Sequence, residues 1–409
     1  MPVPSLSEES RSTFRRLWSD LAPIGRRPSG GYQRFAWTDE DARLREWFVA
    51  QAEERGLEVV TDRVGNQWAW LGDPDADPGS AVVTGSHLDS VPDGGAFDGP
   101  LGVVSSFVAL DELRARGLTA QTPLAIVNFV DEEGARFGIA CAGSRLLTGA
   151  LSPERALALT DADGTTMAEA LRHAGRDPEA LGPDPEDLTR IGAFIELHVE
   201  QGRHLVDLHE AVGVGSHIWP HGRWRIDVPG EANHAGTTAL EDRDDAMLGF
   251  AAAVIAARRA ARDRGCVATI GKVSVTPNGV NAIPSAVTGW LDARGADEAA
   301  VHGVVEDVTE VMADFDAVVR EESWTPTTDF DQALVSRLAR RLRGIPTLGT
   351  GAGHDSGILA NAGVPAAMLF VRNPTGISHS PEEFAEEADC QAGIAALADV
   401  IADLSGAVP

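Results

Sequence analysis

Histidine and carboxylate side chains are concentrated in a few short segments of the sequence, and their types suit the binding of metal ions. These segments are residues 85–90, 94–99, 131–134, 196–202 and 376–382. Imidazole and carboxylate groups form a mixed nitrogen and oxygen ligand set, which suits Zn²⁺, Mn²⁺, Co²⁺ or Ni²⁺ and is not a thiolate site. The segments therefore predict a metal centre, provided that the fold brings them together.

The first two segments place a histidine near two carboxylates. His87 and Asp89 are two residues apart at the end of an apolar run, so their side chains can point the same way. A carboxylate beside a histidine fixes its tautomer and strengthens it as a metal ligand. Asp98 lies in a glycine-rich loop, where the backbone can approach a ligand closely. Turn formation is the alternative, because glycine and aspartate dominate loops.

The other segments offer acids and histidines with alternatives of their own. Asp131, Glu132 and Glu133 follow a second apolar run and repel one another unless cations are near, or else they begin a helix. His198 shares one face of an extended segment with Glu200, and His379 lies in a loop after a strand. Either histidine on its own is more often a hydrogen-bonded group than a ligand.

Together, five of these residues suffice for two metal ions. The arrangement that we consider places His87 and His198 on one ion, Glu133 and His379 on the other, and Asp98 between them. Spacing alone leaves open which ligands share an ion. Two divalent ions, two carboxylates and a bridging hydroxide carry one net positive charge, which would attract a carboxylate substrate. Glu132 then remains available as a general base for the bridging water.

Parallel strands and helices are the elements expected to position these residues. The runs AVVTGS (81–86) and LAIVNFV (124–130) are short and apolar, and residues 102–116 between them have a helical pattern. This order is typical of a parallel α/β sheet, in which ligands gather outside the carboxyl ends of the strands. We also expect a helix over 38–56 with Thr38 as its N-cap, a strand over 366–371 and a final helix over 389–404.

The middle of the chain has a different pattern. Strands and helices are expected in the order strand, helix, strand, strand, helix, strand, which is the order of a ferredoxin-like unit. The predicted fold class is therefore α/β: a catalytic domain with a mixed, mostly parallel sheet flanked by helices, plus an inserted ferredoxin-like α+β domain. We place the catalytic domain at residues 1–211 and 325–409, and the inserted domain at 212–324.

Composition argues against several classes of partner. The 409 residues carry a formal net charge of −28, with 34 Lys and Arg against 62 Asp and Glu, so nucleic acid and anionic membranes are not expected partners. Cys141, Cys266 and Cys390 are too few and too scattered for a disulfide framework, which fits a reducing compartment. The sequence shows no apolar signal core and no run long enough to span a bilayer, so a cytoplasmic location is expected.

Seven motifs in a fixed order resemble a known family. They are GSHLDSVPDGGAFDGPLG, DEEGARFG, ELHVEQG, GEANHAGTT, NAIP followed by LDAR, GAGHDSG and GISHSPEE, and they span nearly the whole chain. They resemble the metallopeptidase-like amidohydrolases that include N-carbamoyl-L-amino acid hydrolase, β-ureidopropionase and allantoate amidohydrolase. The resemblance implies a two-metal α/β catalytic domain, an inserted lid domain that dimerises, and hydrolysis of a ureido or amide C–N bond.

The resemblance also implies roles for individual residues of the catalytic domain. The metal ligands that it implies are His87, Asp98, Glu133, His198 and His379. Glu132 matches the general base, and Asp89 matches the residue that orients His87. A histidine rather than a carboxylate at position 198 resembles the carbamoylase branch more than the aminoacylase and dipeptidase branches.

Substrate contacts are implied at further positions. Gln201 matches a substrate-contacting residue, and His234 matches a lid histidine that reaches the partner subunit's site and steadies the oxyanion. Asn281 and Arg294 match lid residues that grip the substrate carboxylate, for which the guanidinium fork is apt. Without the resemblance, His234 would be a loop residue, Asn281 a turn residue and Arg294 a surface residue.

The sequence as a whole favours a homodimeric hydrolase with two divalent ions per subunit and a small ureido carboxylate as substrate. We expect an N-carbamoyl amino acid or allantoate to be cleaved to release ammonia and carbon dioxide. An N-acyl amino acid deacylase or dipeptidase at the same site is the alternative, and a silent binding protein is the third. Segment 213–222 departs from the family pattern, so its His217, Trp219 and His221 are either loop residues or changes to the specificity pocket. His354 and Asp355 support the ligands or start a helix.

Overall fold

The computed structural model describes residues 5–409, which form two compact units. Unit 1 contains residues 5–217 and 329–409, and unit 2 contains residues 218–328. The helices are α1 (Glu8–Leu21), α2 (Asp39–Glu54), α3 (Pro100–Ala115), α4 (Ala142–Thr148), α5 (Pro153–Leu157), α6 (Met167–His173), α7 (Pro185–Arg190), α8 (His204–Asp207), α9 (Ala246–Arg264), α10 (Glu298–Ala313), α11 (Gln332–Arg341), α12 (Asp355–Asn361) and α13 (Glu387–Leu404), with short 3₁₀ helices at Pro178–Ala180 and Leu240–Asp242. The strands are β1 (Glu58–Thr61), β2 (Gln67–Leu71), β3 (Ala81–His87), β4 (Leu124–Phe129), β5 (Ile191–Val199), β6 (Val212–Ile218), β7 (His221–Pro229), β8 (Asn233–His234), β9 (Val267–Thr276), β10 (Ala282–Ile283), β11 (Ala286–Arg294), β12 (Val318–Thr325), β13 (Thr328–Asp329), β14 (Thr347–Thr350) and β15 (Ala366–Val371).

A mixed sheet with a parallel centre forms the framework of unit 1. Its strand order is β1-β2-β4-β3-β5-β15-β6-β13, and β14 also pairs with β6. β3 runs parallel to β4 and β5, and β5 runs parallel to β15. The pairs β1–β2, β2–β4 and β6–β15 are antiparallel. Helices α3, α12 and α13 pack against these strands, so the predicted α/β class with a mixed sheet flanked by helices is confirmed.

The central strands are mostly apolar, and helices shield them from water. Every residue of β3, β4 and β15 is buried, as expected for parallel strands covered on both faces. The predicted helix after Thr38 is confirmed as α2, and the Thr38 side chain accepts a hydrogen bond from the Asp41 amide. Among residues 5–409, no helix is both long and apolar enough to cross a membrane.

The carboxyl ends of the parallel strands meet at one edge of the sheet. His87 ends β3 and pairs with Phe129, the last residue of β4, so the acids at 131–133 follow directly. Val199 ends β5 and pairs with Val371 at the end of β15. His198 and the loop that leads to His379 therefore start from the same edge, although they are far apart in sequence.

Glycine at position 99 allows α3 to begin against a histidine ring. Gly99 has a φ of +84°, and a Cβ at this position would lie 2.4 Å from Cε1 of His87. Any side chain here would displace the imidazole, and an L-residue would also be strained at this φ. The glycine-rich loop around Asp98 thus reflects close packing against β3 as well as turn formation.

Unit 2 is a four-stranded antiparallel sheet covered by two helices. The strand order is β12-β7-β11-β9, and α9 packs against α10. Along the chain the main elements run β7, α9, β9, β11, α10, β12, which is the order of a ferredoxin-like unit. Alternate residues of β7 and β11 are buried in an apolar core with one face of each helix.

Candidate metal centre

Five of the predicted residues converge at the carboxyl edge of the sheet in unit 1. Asp98 lies at the centre, with its Oδ1 3.2 Å from Nε2 of His198 and 3.6 Å from Nε2 of His87. Its Oδ2 is 3.4 Å from Nε2 of His379, and that nitrogen is 3.5 Å from Oε2 of Glu133. His87, Asp98 and His198 form one group able to hold an ion, and Asp98, Glu133 and His379 form another.

The histidine tautomers fit a cation at this place. Nδ1 of His87 lies 3.2 Å from the Asp89 carbonyl oxygen, and Nδ1 of His198 lies 2.9 Å from the Val199 carbonyl oxygen. A carbonyl only accepts, so each Nδ1 carries a proton and Nε2 is the ring nitrogen that faces the centre. Both Nε2 atoms are buried without a hydrogen-bond partner and face Asp98. Without a metal ion, a proton on Nε2 can meet the carboxylate; when Nε2 is deprotonated, its lone pair opposite Asp98 needs a cation between them, so the donor set suits a divalent ion.

The pKa shifts in the cluster also indicate that its carboxylates need positive charge close by. Burial opposes ionisation of Asp98, yet its contacts with three imidazoles hold its pKa well below the usual value. The contact with Asp98 raises the pKa of His379 to about 9. Burial and the nearby Asp98 raise the pKa of Glu133 to about 7. Protons on the histidines thus balance the carboxylates here, and metal ions would take over that role.

Asp89 connects the histidine to the acidic loop. Its Oδ1 lies 3.4 Å from Nδ1 of His87 and accepts a hydrogen bond of 3.2 Å from the Glu132 amide. Its Oδ2 accepts a hydrogen bond of 3.0 Å from the Glu133 amide. One carboxylate therefore positions a candidate ligand on β3 and the loop after β4, a wider role than the orientation of His87 alone.

Glu132 lies beside the candidate ligands without joining either group. Its side chain is buried, and Oε2 is 3.7 Å from Nε2 of His87. Burial, opposed by His87 but reinforced by Asp355 and Glu133, raises the pKa of Glu132 well above its usual value. A carboxylate in this position can exchange a proton with a water molecule held among the ligands.

Gln201 is placed at the same centre. Its Nε2 donates hydrogen bonds to Oδ2 of Asp98 at 2.9 Å and to Oγ of Ser378 at 3.0 Å. Glu200, its neighbour, turns away from the centre and accepts hydrogen bonds from the backbone amides of His204 and Leu205 at the start of α8. His198 and Glu200 share one face of the segment in the sequence pattern, but their places in the fold differ. His198 lies at the candidate metal centre, whereas Glu200 caps the start of α8.

The remaining predicted residues lie in unit 2: His234 on β8, Asn281 just before β10, with which β8 pairs, and Arg294 at the end of β11. His234 is exposed on β8, and Ala235 donates a backbone hydrogen bond of 2.9 Å to the Asn281 carbonyl. Nδ1 of His234 accepts a hydrogen bond of 3.0 Å from the Gly236 amide, so Nε2 carries the proton and is a donor. Arg294 ends β11, the strand that begins at Ala286, so about 26 Å of strand separates its backbone from the His234 end.

Arg294 and the unusual segment 213–222 make local contacts. Nε of Arg294 donates to Oδ1 of Asp292 at 2.7 Å and Nη2 donates to Oδ2 at 3.0 Å, so the carboxylate orients the guanidinium. His217 shares a hydrogen bond of 2.9 Å with Ser216, and Nδ1 of His221 donates to the Trp219 carbonyl at 3.1 Å. Burial lowers the pKa of His221, which favours the neutral ring.

Buried polar residues lie behind the candidate ligands. Glu196 accepts hydrogen bonds from Oγ of Ser86 at 2.8 Å and from the Ser356 amide at 3.2 Å. The His354 ring lies 4.5 Å from the His198 ring, and burial lowers its pKa well below the usual value, so it is neutral. Asp355 accepts a hydrogen bond from the Ser144 hydroxyl. His354 and Asp355 thus lie behind the centre, and Asp355 also begins α12.

The sequence analysis did not single out Glu383. This buried carboxylate accepts hydrogen bonds from the backbone amides of Phe97 at 2.8 Å and Asp98 at 2.9 Å, both on Oε1. It thereby fixes the loop that carries the central candidate ligand. Its motif, GISHSPEE, was noted for His379, and no spacing rule predicts that an acid nearly three hundred residues after the loop accepts its amides.

Comparisons with known proteins identify the family of the chain. The sequence pattern described as Peptidase family M20/M25/M40 matches residues 83–403. The chain belongs to this family. It is 36% identical over 404 residues to the N-carbamoyl-L-amino acid amidohydrolase of Geobacillus stearothermophilus, covering 92% of this chain and 95% of that protein. It is 30% identical over 398 residues to the allantoate amidohydrolase of Escherichia coli strain K12, covering 94% of this chain and 96% of that protein.

A solved structure gives the same assignment. The hydantoinase/carbamoylase family amidase of Burkholderia ambifaria superposes with a TM-score of 0.83 at 31% identity, covering 99% of both chains. The resemblance drawn from the seven motifs is therefore confirmed. So is the predicted class of enzyme, a hydrolase of non-peptide C–N bonds, since relatives that cover nearly the whole chain are amidohydrolases.

The role of Glu383 is testable through metal binding. Glu383→Ala leaves two buried amides without an acceptor and loosens the Asp98 loop, so we expect Mn²⁺ affinity to fall by about 10- to 100-fold. Glu383→Gln retains an oxygen acceptor and should stay within about threefold of wild type. Titration calorimetry on metal-stripped protein measures both, with the exposed neighbour Glu382→Ala as the control. Equal Mn²⁺ affinity in Glu383→Ala and Glu382→Ala would remove Glu383 from the account.

Proposed function

We propose that this protein hydrolyses the ureido C–N bond of an N-carbamoyl amino acid or of allantoate, releasing ammonia and carbon dioxide. The observation that carries the proposal is the convergence of two imidazole and carboxylate groups on Asp98, with the carboxylate of Glu132 beside them. The relatives named N-carbamoyl-L-amino acid amidohydrolase and allantoate amidohydrolase support the choice of a ureido substrate.

The candidate ligands support a pair of divalent ions, Zn²⁺ or else Mn²⁺, Co²⁺ or Ni²⁺. His87, Asp98 and His198 would hold one ion, and Asp98, Glu133 and His379 the other. Such ions, when bound, polarise a carbonyl group and lower the pKa of water. Asp89 keeps His87 in the tautomer that presents Nε2, and Glu383 keeps Asp98 between the two groups.

Glu132 moves the proton in this proposal. Its Oε2 faces the candidate ligands, so it can take a proton from the attacking water and return it to the leaving nitrogen. Gln201 donates at the same centre and would orient the substrate against it. His234 would steady the oxyanion through its Nε2 proton, and Arg294 and Asn281 would bind the substrate carboxylate.

The length of β11 favours a homodimer as the working form. His234 and Asn281 lie together, but the strand places Arg294 about 26 Å further along. One small ureido acid cannot touch both ends of this strand. We therefore infer that residues of two chains serve one substrate, with His234 and Asn281 contributed by the partner.

Unit 2 carries an apolar surface suited to a second copy of the chain. β9 is an edge strand with exposed Val267 and Val273, and α9 exposes Leu248 and Ile255 at 66% and 52%. Paired edge strands would cover both elements in a symmetric dimer. The free cysteines among residues 5–409 further support a reducing compartment, and we infer the cytoplasm.

The dimer is testable by charge insertion. The double variant Leu248→Glu, Ile255→Glu buries unpaired charges in the proposed interface, so we expect a chain of 43.1 kDa to sediment as a monomer while wild type sediments as a dimer. Val60→Glu, on exposed β1 of unit 1, is the control and should remain dimeric. A wild-type monomer, or a double variant that stays dimeric, would contradict this interface.

The reaction is testable by its product. Protein reloaded with Mn²⁺ or Zn²⁺ should release ammonia from allantoate or an N-carbamoyl amino acid and not from a dipeptide. Glu132→Gln removes the proton acceptor and should lower kcat by about 100- to 10,000-fold while its bound metal stays near the wild-type level. Glu382→Gln is the matched exposed control. Dipeptide cleavage without ammonia would move the protein to the peptidase alternative, and near wild-type turnover in Glu132→Gln would refute the assigned base.

A further inference from the structure

The carboxylate of Glu132 is held between two different neighbours. Its Oε2 lies 3.7 Å from Nε2 of His87, on the side of the candidate ligands. Its Oε1 accepts a hydrogen bond of 3.2 Å from Sγ of Cys141, on the opposite side. The two oxygens of a free carboxylate are equivalent, so the thiol contact distinguishes the oxygen that faces the centre from the one that does not.

The main chain ties Cys141 to the same residue. The Cys141 amide donates a hydrogen bond to the Glu132 carbonyl oxygen. Cys141 has a φ of 54° at the N-cap of α4, and its carbonyl accepts a hydrogen bond from the Arg145 amide. Its backbone and side chain therefore both contact Glu132, and the start of α4 fixes their direction. The left-handed φ is uncommon for a residue with a side chain.

The surroundings keep the thiol in its donor form. Cys141 is buried, and burial together with the nearby Glu132 and Asp355 raises its pKa well above the usual value. A protonated thiol is a weak hydrogen-bond donor. Such a donor restrains the direction of a carboxylate while stabilising its charge less than an amide or guanidinium group does. This is the kind of support that suits a base that must both accept and return a proton.

We propose that Cys141 is a positioning residue for Glu132, whose carboxylate it orients so that Oε2 faces the attacking water. The inference rests on the proposed function, in which Glu132 moves the proton. The hydrogen bonds of Cys141 go to Glu132 and to the start of α4, so we expect it to act through Glu132 and not on the substrate. Loss of the thiol should therefore lower the rate of proton transfer and leave substrate binding nearly unchanged.

Infrared spectroscopy on the metal-loaded protein, in which the cations favour the charged form of Glu132, tests the hydrogen bond without any substrate. The chain has three cysteines, so the variant Cys266→Ser, Cys390→Ala keeps Cys141 as its one thiol. The S–H stretching band of this variant should lie at the lowered frequency of a thiol that donates to a carboxylate. Adding Glu132→Gln replaces the charged acceptor by a neutral one and should move the band to higher frequency. A band that does not respond to Glu132→Gln would overturn the proposal.

Kinetics test the positioning role. Cys141→Ala should lower kcat roughly tenfold with KM within about twofold of wild type, because only the orientation of the base is lost. Cys141→Ser restores a donor and should recover kcat to within about threefold. Cys390→Ala, which changes another buried cysteine of unit 1 on a different helix, α13, is the control. Wild-type kcat in Cys141→Ala, or no recovery in Cys141→Ser, would refute the role.

The infrared and kinetic experiments separate this inference from the proposed function. Ammonia release by wild type and its loss in Glu132→Gln establish the reaction independently of Cys141. If wild type is inactive on every ureido substrate, the proposed function fails, and the catalytic role of Cys141 falls with it. The infrared arm changes nothing at Cys141, so it decides the hydrogen bond even if Cys141→Ala does not fold.

Discussion

Negative charge buried at the carboxyl edge of the sheet is the constraint on which the site depends. Asp89, Asp98, Glu132 and Glu133 lie within one small region, and burial and mutual repulsion raise the pKa of the two glutamates. An uncompensated buried charge costs several kcal/mol. Three imidazoles provide the balance in the protein itself, and their Nε2 atoms point at carboxylate oxygens. This is the arrangement that divalent cations stabilise best, and it accounts for the chemistry that we propose.

The fold meets this constraint by ending several elements at one place. Parallel strands bring His87, the acidic loop and His198 to the same edge, and Gly99 lets α3 pack against the His87 ring. Backbone carbonyls accept from the Nδ1 atoms of the histidines and so set their tautomers. Asp89 follows β3 and accepts hydrogen bonds from the loop after β4, and Glu383 accepts hydrogen bonds from the loop that carries Asp98. His87, His198 and Asp98 are thus oriented by contacts within the protein itself.

Sequence reasoning captured the parts that follow from local patterns. Apolar runs followed by polar residues predicted β3 and β4 and placed His87 and the acidic loop at strand ends, because parallel strands covered on both faces are mostly apolar. The motifs then supplied the family, which the comparisons confirm. The second contacts of Asp89, the role of Glu383 and the thiol of Cys141 depend on tertiary register and were not predictable. Asn281 precedes β11 and Arg294 ends it, so about 26 Å of strand separates them within one chain.

The count of bound metal ions tests the central claim most directly. Metal-stripped wild type would be dialysed against Mn²⁺ or Zn²⁺, and the bound metal measured by mass spectrometry beside Asp98→Ala. The account predicts about two ions per chain in wild type and fewer than one in Asp98→Ala, because Asp98 belongs to both groups. No bound metal in wild type, or an unchanged count in Asp98→Ala, would contradict the account.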